Sequence, residues 1–173
     1  MKILVTGSYG QLGRSLFNYL KSNNEILLTG RNIPLSINGF YLDICDRLNL
    51  RDLISLHNPD ILVNLAALTN VDLCENNSDL AREINTNGVR NICDTFRGKI
   101  VQLSTDYVFD GKNGPYVEED EVFPLSVYGK TKLEAENIVS SHSSDNLIIR
   151  GNVLYDNCLS TRASFLNWVV QSL

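Results

Sequence analysis

The sequence predicts an α/β protein with a doubly wound parallel sheet of the Rossmann type. Short apolar segments rich in β-branched residues alternate with segments whose apolar residues recur at helical spacing, as in βαβ units. The first apolar segment leads directly into a glycine-rich turn, the usual start of the first helix in such folds. With 173 residues, the chain is long enough for one domain with a well-formed core.

The elements follow from the apolar pattern in chain order. Strands are predicted at residues 2–6, 26–29, 40–44, 61–65, 100–103 and 147–149. Helices are predicted at 10–21, 47–58, 78–95, from Tyr128 to about 142, and at 163–173. Asp46 is expected to cap the second helix, and the third is expected to turn Leu80, Ile84, Val89 and Ile92 inward. Residues 106–125 form a long predicted loop, which in a compact domain is usually functional or mobile.

Composition excludes several classes of function. The net charge of −5, without a basic stripe, argues against a nucleic-acid binder. Cysteines 45, 74, 93 and 158 are too scattered for a zinc site and are predicted to be isolated buried thiols. No apolar segment is long enough to span a membrane, and no signal peptide is expected because Met1 leads straight into a strand. A cytoplasmic location is therefore expected.

The first turn predicts a dinucleotide site. Gly7, Gly10 and Gly13 lie between the first strand and the first helix, where glycines allow a tight turn and close approach of a pyrophosphate. Such spacing alone also occurs in plain strand–helix turns, but the strand–turn–helix context favours the dinucleotide.

The second strand bears on which dinucleotide binds. NAD sites usually have an acid at its end, whereas this chain has Arg31, which favours NADP(H) and leaves NAD(H) possible. Arg31 could instead be an ordinary solvated loop residue. Asp43 could cap a helix or, beside Ile44, bond to the adenine. Asn85, inside a predicted helix, is expected to pack or cap.

Tyr128 and Lys132 predict redox chemistry at a carbonyl or alcohol. Their spacing places both on one helical face, and a neighbouring ammonium is expected to lower the pKa of the phenol. A hydroxyl of Thr105 or Ser104, at the end of the fifth strand, could hold the reacting oxygen. A tyrosine and a lysine at this spacing also occur by chance, as a pair on the surface of an amphipathic helix. The upstream threonine and the glycine turn favour the catalytic interpretation.

These segments resemble the extended short-chain dehydrogenase/reductases and, among them, the dTDP-4-dehydrorhamnose reductase family. The resemblance runs from residue 1 to about 155 and is strongest in three segments, LSTDYVFDG at 103–111, VYGKTKL at 127–133 and NLAALTNVDLCE at 64–75. It implies NADPH-dependent reduction of the C4 carbonyl of a 4-keto-6-deoxy sugar nucleotide, for surface polysaccharide synthesis.

The resemblance also implies residue roles. Thr105 would polarise the carbonyl, Tyr128 would protonate its oxygen, and Lys132 would hold the nicotinamide ribose. Other roles fall to residues near the same sheet edge: Gly10, Gln11 and Leu12 at the pyrophosphate; Ala66, Ala67 and Leu68 at the nicotinamide; Thr105, Asp106 and Val153 at the sugar.

Three departures from the family limit the prediction. The family's Arg-Thr-Ser-Trp is replaced by RGNV at 150–153, which puts the sugar in doubt. Members that bind Mg²⁺ use a glutamate where this chain has Ser15, so no metal is expected. Family members are longer, so residues 1–155 are expected to be the NADP(H)-binding catalytic domain and 156–173 the start of a truncated substrate-binding region. The chain would then be a fragment or a truncated product, and its uncovered surface makes a homodimer plausible.

Two alternatives stay open at this point. One is a non-catalytic, cofactor-binding regulatory subunit resembling that of methionine adenosyltransferase. The other is a sugar-nucleotide epimerase or dehydratase with tightly held NAD, although a dehydratase would want a second acid beside Thr105.

Overall fold

The computed structural model describes residues 1–154. The region predicted at 156–173, its helix at 163–173 and Cys158 lie outside the described residues. A single six-stranded sheet organises the described part, with all its paired strands parallel, in the order β3-β2-β1-β4-β5-β6. The strands are β1 Lys2–Thr6, β2 Glu25–Gly30, β3 Phe40–Tyr41, β4 Ile61–Asn64, β5 Lys99–Thr105 and β6 Leu147–Gly151. The predicted doubly wound fold is confirmed.

Helices cover both faces of this sheet. They are α1 Gln11–Leu20, α2 Arg47–His57, α3 Val71–Asn76, α4 Ser78–Arg82, α5 Gly88–Thr95 and α6 Val127–His142. One face buries Leu4, Leu62 and Ile100 with residues of α2, α5 and α6, while the other buries Val5 and Val63 with residues of α1. Fully burying each such aliphatic side chain stabilises the fold by about 2 kcal/mol.

Two helical predictions need correction. The predicted helix at 78–95 is α4 and α5 joined by a π-helical turn, Glu83–Asn87, and it is preceded by the unpredicted α3. Leu80 lies 39% exposed rather than inward, because it precedes the wider turn that resets the buried face. Ile84, Val89 and Ile92 are buried as predicted.

The third strand is shorter than predicted. It pairs with β2 only at Phe40 and Tyr41, because β2 itself ends at Gly30. Beyond it, the Asp43 carboxylate accepts a hydrogen bond from the Cys45 amide at 3.0 Å and holds the chain in a turn. Asp46 then caps α2 as predicted, accepting from the amides of the second and third helical residues.

The strand order reverses between β1 and β4. The chain runs from β1 outward to β3, then returns and runs from β4 outward to β6 on the other side. In parallel sheets, ligands bind in the crevice that opens at such a reversal, outside the carboxyl ends of the strands. Among residues 1–154, no helix combines the length and apolar character needed to cross a membrane.

Candidate active site

A cleft of about 560 Å³ follows the carboxyl ends of the strands. Most of the predicted site residues line it: Gly7, Gly10, Gln11, Leu12, Gly13, Arg31, Asp43, Ile44, Ala66, Ala67, Thr105, Asp106, Tyr128 and Val153. Leu68 and Lys132 are the predicted site residues outside this lining. The topology of the sheet therefore brings together segments that are more than 100 residues apart in sequence.

The glycine turn fits a dinucleotide pyrophosphate. Gly7 has a φ of +64°, and a Cβ there would lie 2.8 Å from the Ala66 amide nitrogen. A Cβ on Gly13 would collide with the backbone of Ser8, so this glycine lets α1 start against β1. Gly10 caps α1 without a side-chain hydrogen bond, which leaves the first amides of the helix available to an anion.

Arg31 and Asp43 face each other at the far end of the cleft. Arg31 Nη1 lies 3.9 Å from Asp43 Oδ2, and the arginine side chain is 58% exposed. Such an exposed pair contributes at most about 1 kcal/mol, so it does not hold the guanidinium away from a ligand phosphate. The Asp43 side chain holds the turn before α2 by accepting from the Cys45 amide, while the cap of α2 is Asp46.

Thr105 and Tyr128 meet at the other end of the cleft. Thr105 is buried at the end of β5, where its Oγ1 accepts from the Tyr107 amide at 3.2 Å and donates to Asp106 Oδ1 at 3.2 Å. Tyr128 is in the first turn of α6, which Ser126 caps. A Cβ on Gly129 would overlap the carbonyl oxygen of Tyr107, so the glycine after Tyr128 allows α6 to approach this turn.

The predicted effect of Lys132 on Tyr128 is wrong. Burial raises the pKa of the Tyr128 phenol, and the neighbouring Thr105 hydroxyl opposes this rise only in part. The ammonium of Lys132 does not lower this pKa, because Lys132 Nζ donates instead to the carbonyl oxygen of Leu103 at 2.5 Å. The phenol therefore stays protonated at neutral pH, the form required of a general acid.

Lys132 is buried as a cation. Burial lowers the pKa of its amine to about 8, although the nearby Glu136 carboxylate favours the charged form. Glu136 is itself paired with Arg150 of β6, with 2.7 Å between Arg150 Nη2 and Glu136 Oε2. The amine is thus mostly protonated at pH 7 and close to its titration point.

Asn85 is buried, as the packing prediction expects, but its side chain links two segments rather than capping a helix. Its Oδ1 accepts from the Leu68 amide at 2.8 Å, and its Nδ2 donates to the Leu68 carbonyl at 3.1 Å and to Thr131 Oγ1 at 3.1 Å. Thr131 Oγ1 in turn donates to the carbonyl of Tyr128 at 2.8 Å. Asn85 therefore ties the loop after β4 to the helix that carries Tyr128.

Sequence reasoning missed Tyr107 as a residue of the cleft. Its ring lies edge-on to that of Tyr128, with 5.8 Å between the centroids. Its place two residues after Thr105, at the carboxyl end of β5, was an available signal. Within residues 1–154, no three histidine, cysteine or acidic side chains are grouped to bind a metal ion.

Comparisons with known proteins agree with this geometry. The family model described as RmlD substrate binding domain matches residues 1–173. A dTDP-4-dehydrorhamnose reductase of Aggregatibacter actinomycetemcomitans is 37% identical over 86% of this chain and 50% of its own length. Methionine adenosyltransferase 2 subunit beta of Danio rerio is 33% identical over 89% of this chain and 48% of its own length.

A solved structure shows the same fold. The dTDP-4-dehydrorhamnose reductase of Bacillus anthracis, in complex with NADP, superposes with a TM-score of 0.84 at 29% identity and covers 98% of this chain and 58% of its own. The chain spans about half the length of the curated relatives it matches. Since the family model matches the whole sequence, the chain belongs to the RmlD substrate binding domain family, and the resemblance to dTDP-4-dehydrorhamnose reductases is confirmed.

Proposed function

We propose that this chain is the cofactor-binding and catalytic part of an NADP(H)-dependent reductase. The reductase acts on the C4 carbonyl of a 4-keto-6-deoxy sugar nucleotide, and the reduced sugar is used in surface polysaccharide synthesis. The observation that carries the proposal is one cleft with the glycine turn along its wall and Thr105 and Tyr128 together at one end. The similarity to reductases, one of them solved with NADP, supports the same assignment.

The side chains perform the acid–base part of this reaction. Thr105 holds and polarises the carbonyl oxygen through its hydroxyl, and Tyr128 gives its phenolic proton to the oxygen as negative charge develops there. Because burial raises the pKa of Tyr128, the proton is present throughout the neutral range. Lys132 would hold the nicotinamide ribose and adds a positive charge beneath the site. The hydride for C4 comes from NADPH when the cofactor is bound.

Replacing the phenol tests its role directly. Tyr128→Phe keeps the ring that packs against Tyr107 but removes the proton donor, so NADPH oxidation with the sugar nucleotide should fall by at least about a hundredfold. NADPH binding, followed by its fluorescence, should stay within about twofold because the glycine turn is untouched. Tyr19→Phe, on the exposed face of α1, is the control and should change neither quantity. Unchanged turnover in Tyr128→Phe would remove Tyr128 from the mechanism.

The choice of cofactor rests on Arg31. Its guanidinium lies at the cleft and more than half exposed, where it is able to meet a 2′-phosphate. We expect kcat/KM for NADPH to exceed that for NADH, and Arg31→Ala to remove most of this preference by weakening NADPH alone. Arg51→Ala, on exposed α2, is the matched control. Equal kcat/KM for the two cofactors in the wild type would contradict the preference.

A non-catalytic role is the second candidate. It is favoured by the 33% identity to a methionine adenosyltransferase subunit, which approaches the identity to the reductase. The two functions differ in one observation. A binding subunit would quench or enhance NADPH fluorescence on titration but would not oxidise NADPH with any 4-keto sugar nucleotide, whereas the reductase would do both.

A further inference from the structure

Buried polar side chains form a hydrogen-bonded chain through the middle of the sheet. Thr6 Oγ1 donates to Asn64 Oδ1 at 2.5 Å, and Asn64 Nδ2 donates to Gln102 Oε1 at 2.8 Å. The three residues lie side by side on β1, β4 and β5, because the register pairs Thr6 with Asn64 and Asn64 with Gln102. Each is at most 1% exposed. Apolar residues would fill this layer at lower desolvation cost, so the presence of three buried polar side chains requires an explanation.

The chain of hydrogen bonds ends on a carbonyl that it shares with Lys132. Gln102 Nε2 donates to the Leu103 carbonyl oxygen at 2.7 Å, and Lys132 Nζ donates to the same oxygen at 2.5 Å. The pairing of β4 with β5 ends at Gln102, one residue earlier. A carbonyl oxygen has two lone pairs, so these two side-chain donors satisfy it together.

We propose that Gln102 is a positioning residue for Lys132: it keeps the Leu103 carbonyl hydrogen-bonded when the lysine leaves it to engage a bound dinucleotide. This inference rests on the proposed function, which gives Lys132 a partner in the cofactor. In the structure Lys132 is absent from the cleft lining and is held on Leu103, so a move of its ammonium toward a ligand in the cleft would weaken or break this bond. Gln102 lowers the free-energy cost of moving Lys132 away from the Leu103 carbonyl.

The energetic argument is one of hydrogen-bond satisfaction. A buried carbonyl left without a hydrogen-bond donor is unfavourable, so a move of Lys132 without a replacement donor would weaken cofactor binding roughly tenfold. With the Gln102 amide in place, one donor always remains. The amide is fixed in turn by Asn64, whose Nδ2 holds its oxygen and so directs its NH₂ group toward Leu103.

The same contact acts on the charge of Lys132. The NH₂ group of Gln102 carries partial positive charge and points at the oxygen to which the ammonium donates, so it disfavours protonation of Lys132. Glu136 acts in the opposite direction, and its own charge is balanced by Arg150. The Tyr128 phenol, one turn earlier on α6, is neutral near pH 7. Removing the Gln102 amide should therefore raise the pKa of Lys132.

Two substitutions at Gln102 separate this role from simple packing. Gln102→Met keeps the volume and removes both hydrogen bonds. Gln102→Glu keeps the acceptor for Asn64, and its carboxylate would bind the Lys132 ammonium and hold it back. Thr29→Val is the matched control. The Val5 carbonyl oxygen accepts from both Thr29 Oγ1 and Ser8 Oγ. The substitution therefore removes one of two side-chain donors to a strand carbonyl, as at Leu103, but far from Lys132.

The test combines a cofactor-free and a cofactor-bound measurement on the whole chain. NMR of ¹³C-lysine-labelled protein without cofactor follows the Lys132 titration, assigned by its loss in Lys132→Met. NADPH fluorescence gives Kd. We expect both Gln102 variants to raise the pKa of Lys132 by about half a unit or more and to weaken NADPH binding roughly tenfold, with Thr29→Val unchanged in both.

The outcomes are distinguishable. An unchanged pKa of Lys132 or an unchanged NADPH Kd in Gln102→Met overturns the inference; if that variant does not unfold cooperatively, Gln102→Glu decides by the same criteria. If the wild type does not bind NADPH, the proposed function is overturned, and so is the proposed movement of Lys132 toward the cofactor. The titration of the cofactor-free protein still shows separately whether Gln102 affects the pKa of Lys132.

Discussion

Lys132 carries a positive charge into a part of the protein that water does not reach. Its amine is held by the Leu103 carbonyl, with Gln102 on the same oxygen and Glu136 one turn further along α6. Burial of the charge outweighs the favourable contacts with Leu103 and Glu136, since the pKa falls from its ordinary value of 10.5 to about 8. Burying the Lys132 charge therefore costs free energy and lowers the stability of the folded state at neutral pH.

This buried charge predicts how stability depends on pH. Below pH 8, Lys132 is charged in the folded and unfolded states, and the cost of burial is fully present. Between about 8 and 10.5, the folded state loses the proton first, so the unfolded state binds more protons and stability rises with pH. We expect Lys132→Met to exceed wild type in free energy of unfolding by up to about 3 kcal/mol at pH 7, with the gap closing toward pH 10.

Urea unfolding at several pH values measures this gap. Lys130→Met, on the exposed face of the same helix, is the control and should show no such pH-dependent difference. A gap that stays constant from pH 7 to 10 would show that Lys132 does not titrate in this range.

The sequence predicted where the proposed catalytic residues lie better than it predicted their interactions. Thr105 and Tyr128 were predictable because a strand end and a helical start fix where their side chains go. The contact of Lys132 with Leu103 was not, because it depends on how closely α6 packs on β5, across 29 residues of chain. The sign of the shift in the Tyr128 pKa was missed for the same reason, since burial is a property of the packed molecule.

The π-helical turn between α4 and α5 is the element that connects the two walls of the site. It places Asn85 so that its side chain hydrogen-bonds to both the amide and the carbonyl of Leu68, and also to Thr131 of α6. A regular helix through these positions would present a different face to α6. Such wide turns frequently occur at functional sites.

Removing this connection should affect stability and binding together. Asn85→Ala leaves the Leu68 amide without its side-chain acceptor, and we expect a loss of about 2 kcal/mol in the free energy of unfolding. NADPH affinity should fall as the loop after β4 loosens. Asn87→Ala, in the same turn, removes only a surface bond to Glu83 and should cost less than about 0.5 kcal/mol. Urea unfolding of both variants checks this, and equal losses would contradict the connecting role.

Elements were predictable where the apolar pattern was regular. Five of the six strands were predicted to within two residues at each end, and β3 was the exception, because its length is set by where β2 ends rather than by its own sequence. The α3 helix was missed because its six residues are too few to show a helical period. The π-helical turn has no separate apolar signature, so the run from 78 to 95 looked like one helix.

At the scale of the whole molecule, topology makes the site. The strand order reverses between β1 and β4, and the cleft lies along that edge with the glycine turn, Arg31 and Tyr128 on its walls. The relatives that match this chain are about twice as long as the matched part, so the chain corresponds to about half of each relative. The proposed catalytic residues Thr105 and Tyr128 do lie in this chain.

The most direct test of the central claim follows a labelled hydrogen. NADPH carrying deuterium at the transferred position of the nicotinamide is incubated with the chain and a 4-keto-6-deoxy sugar nucleotide, and the product is examined by mass spectrometry and NMR. The account predicts one deuterium at C4 of the reduced sugar with wild type and almost none with Tyr128→Phe. Reduced sugar without deuterium at C4, or equal labelling by Tyr128→Phe, would contradict it.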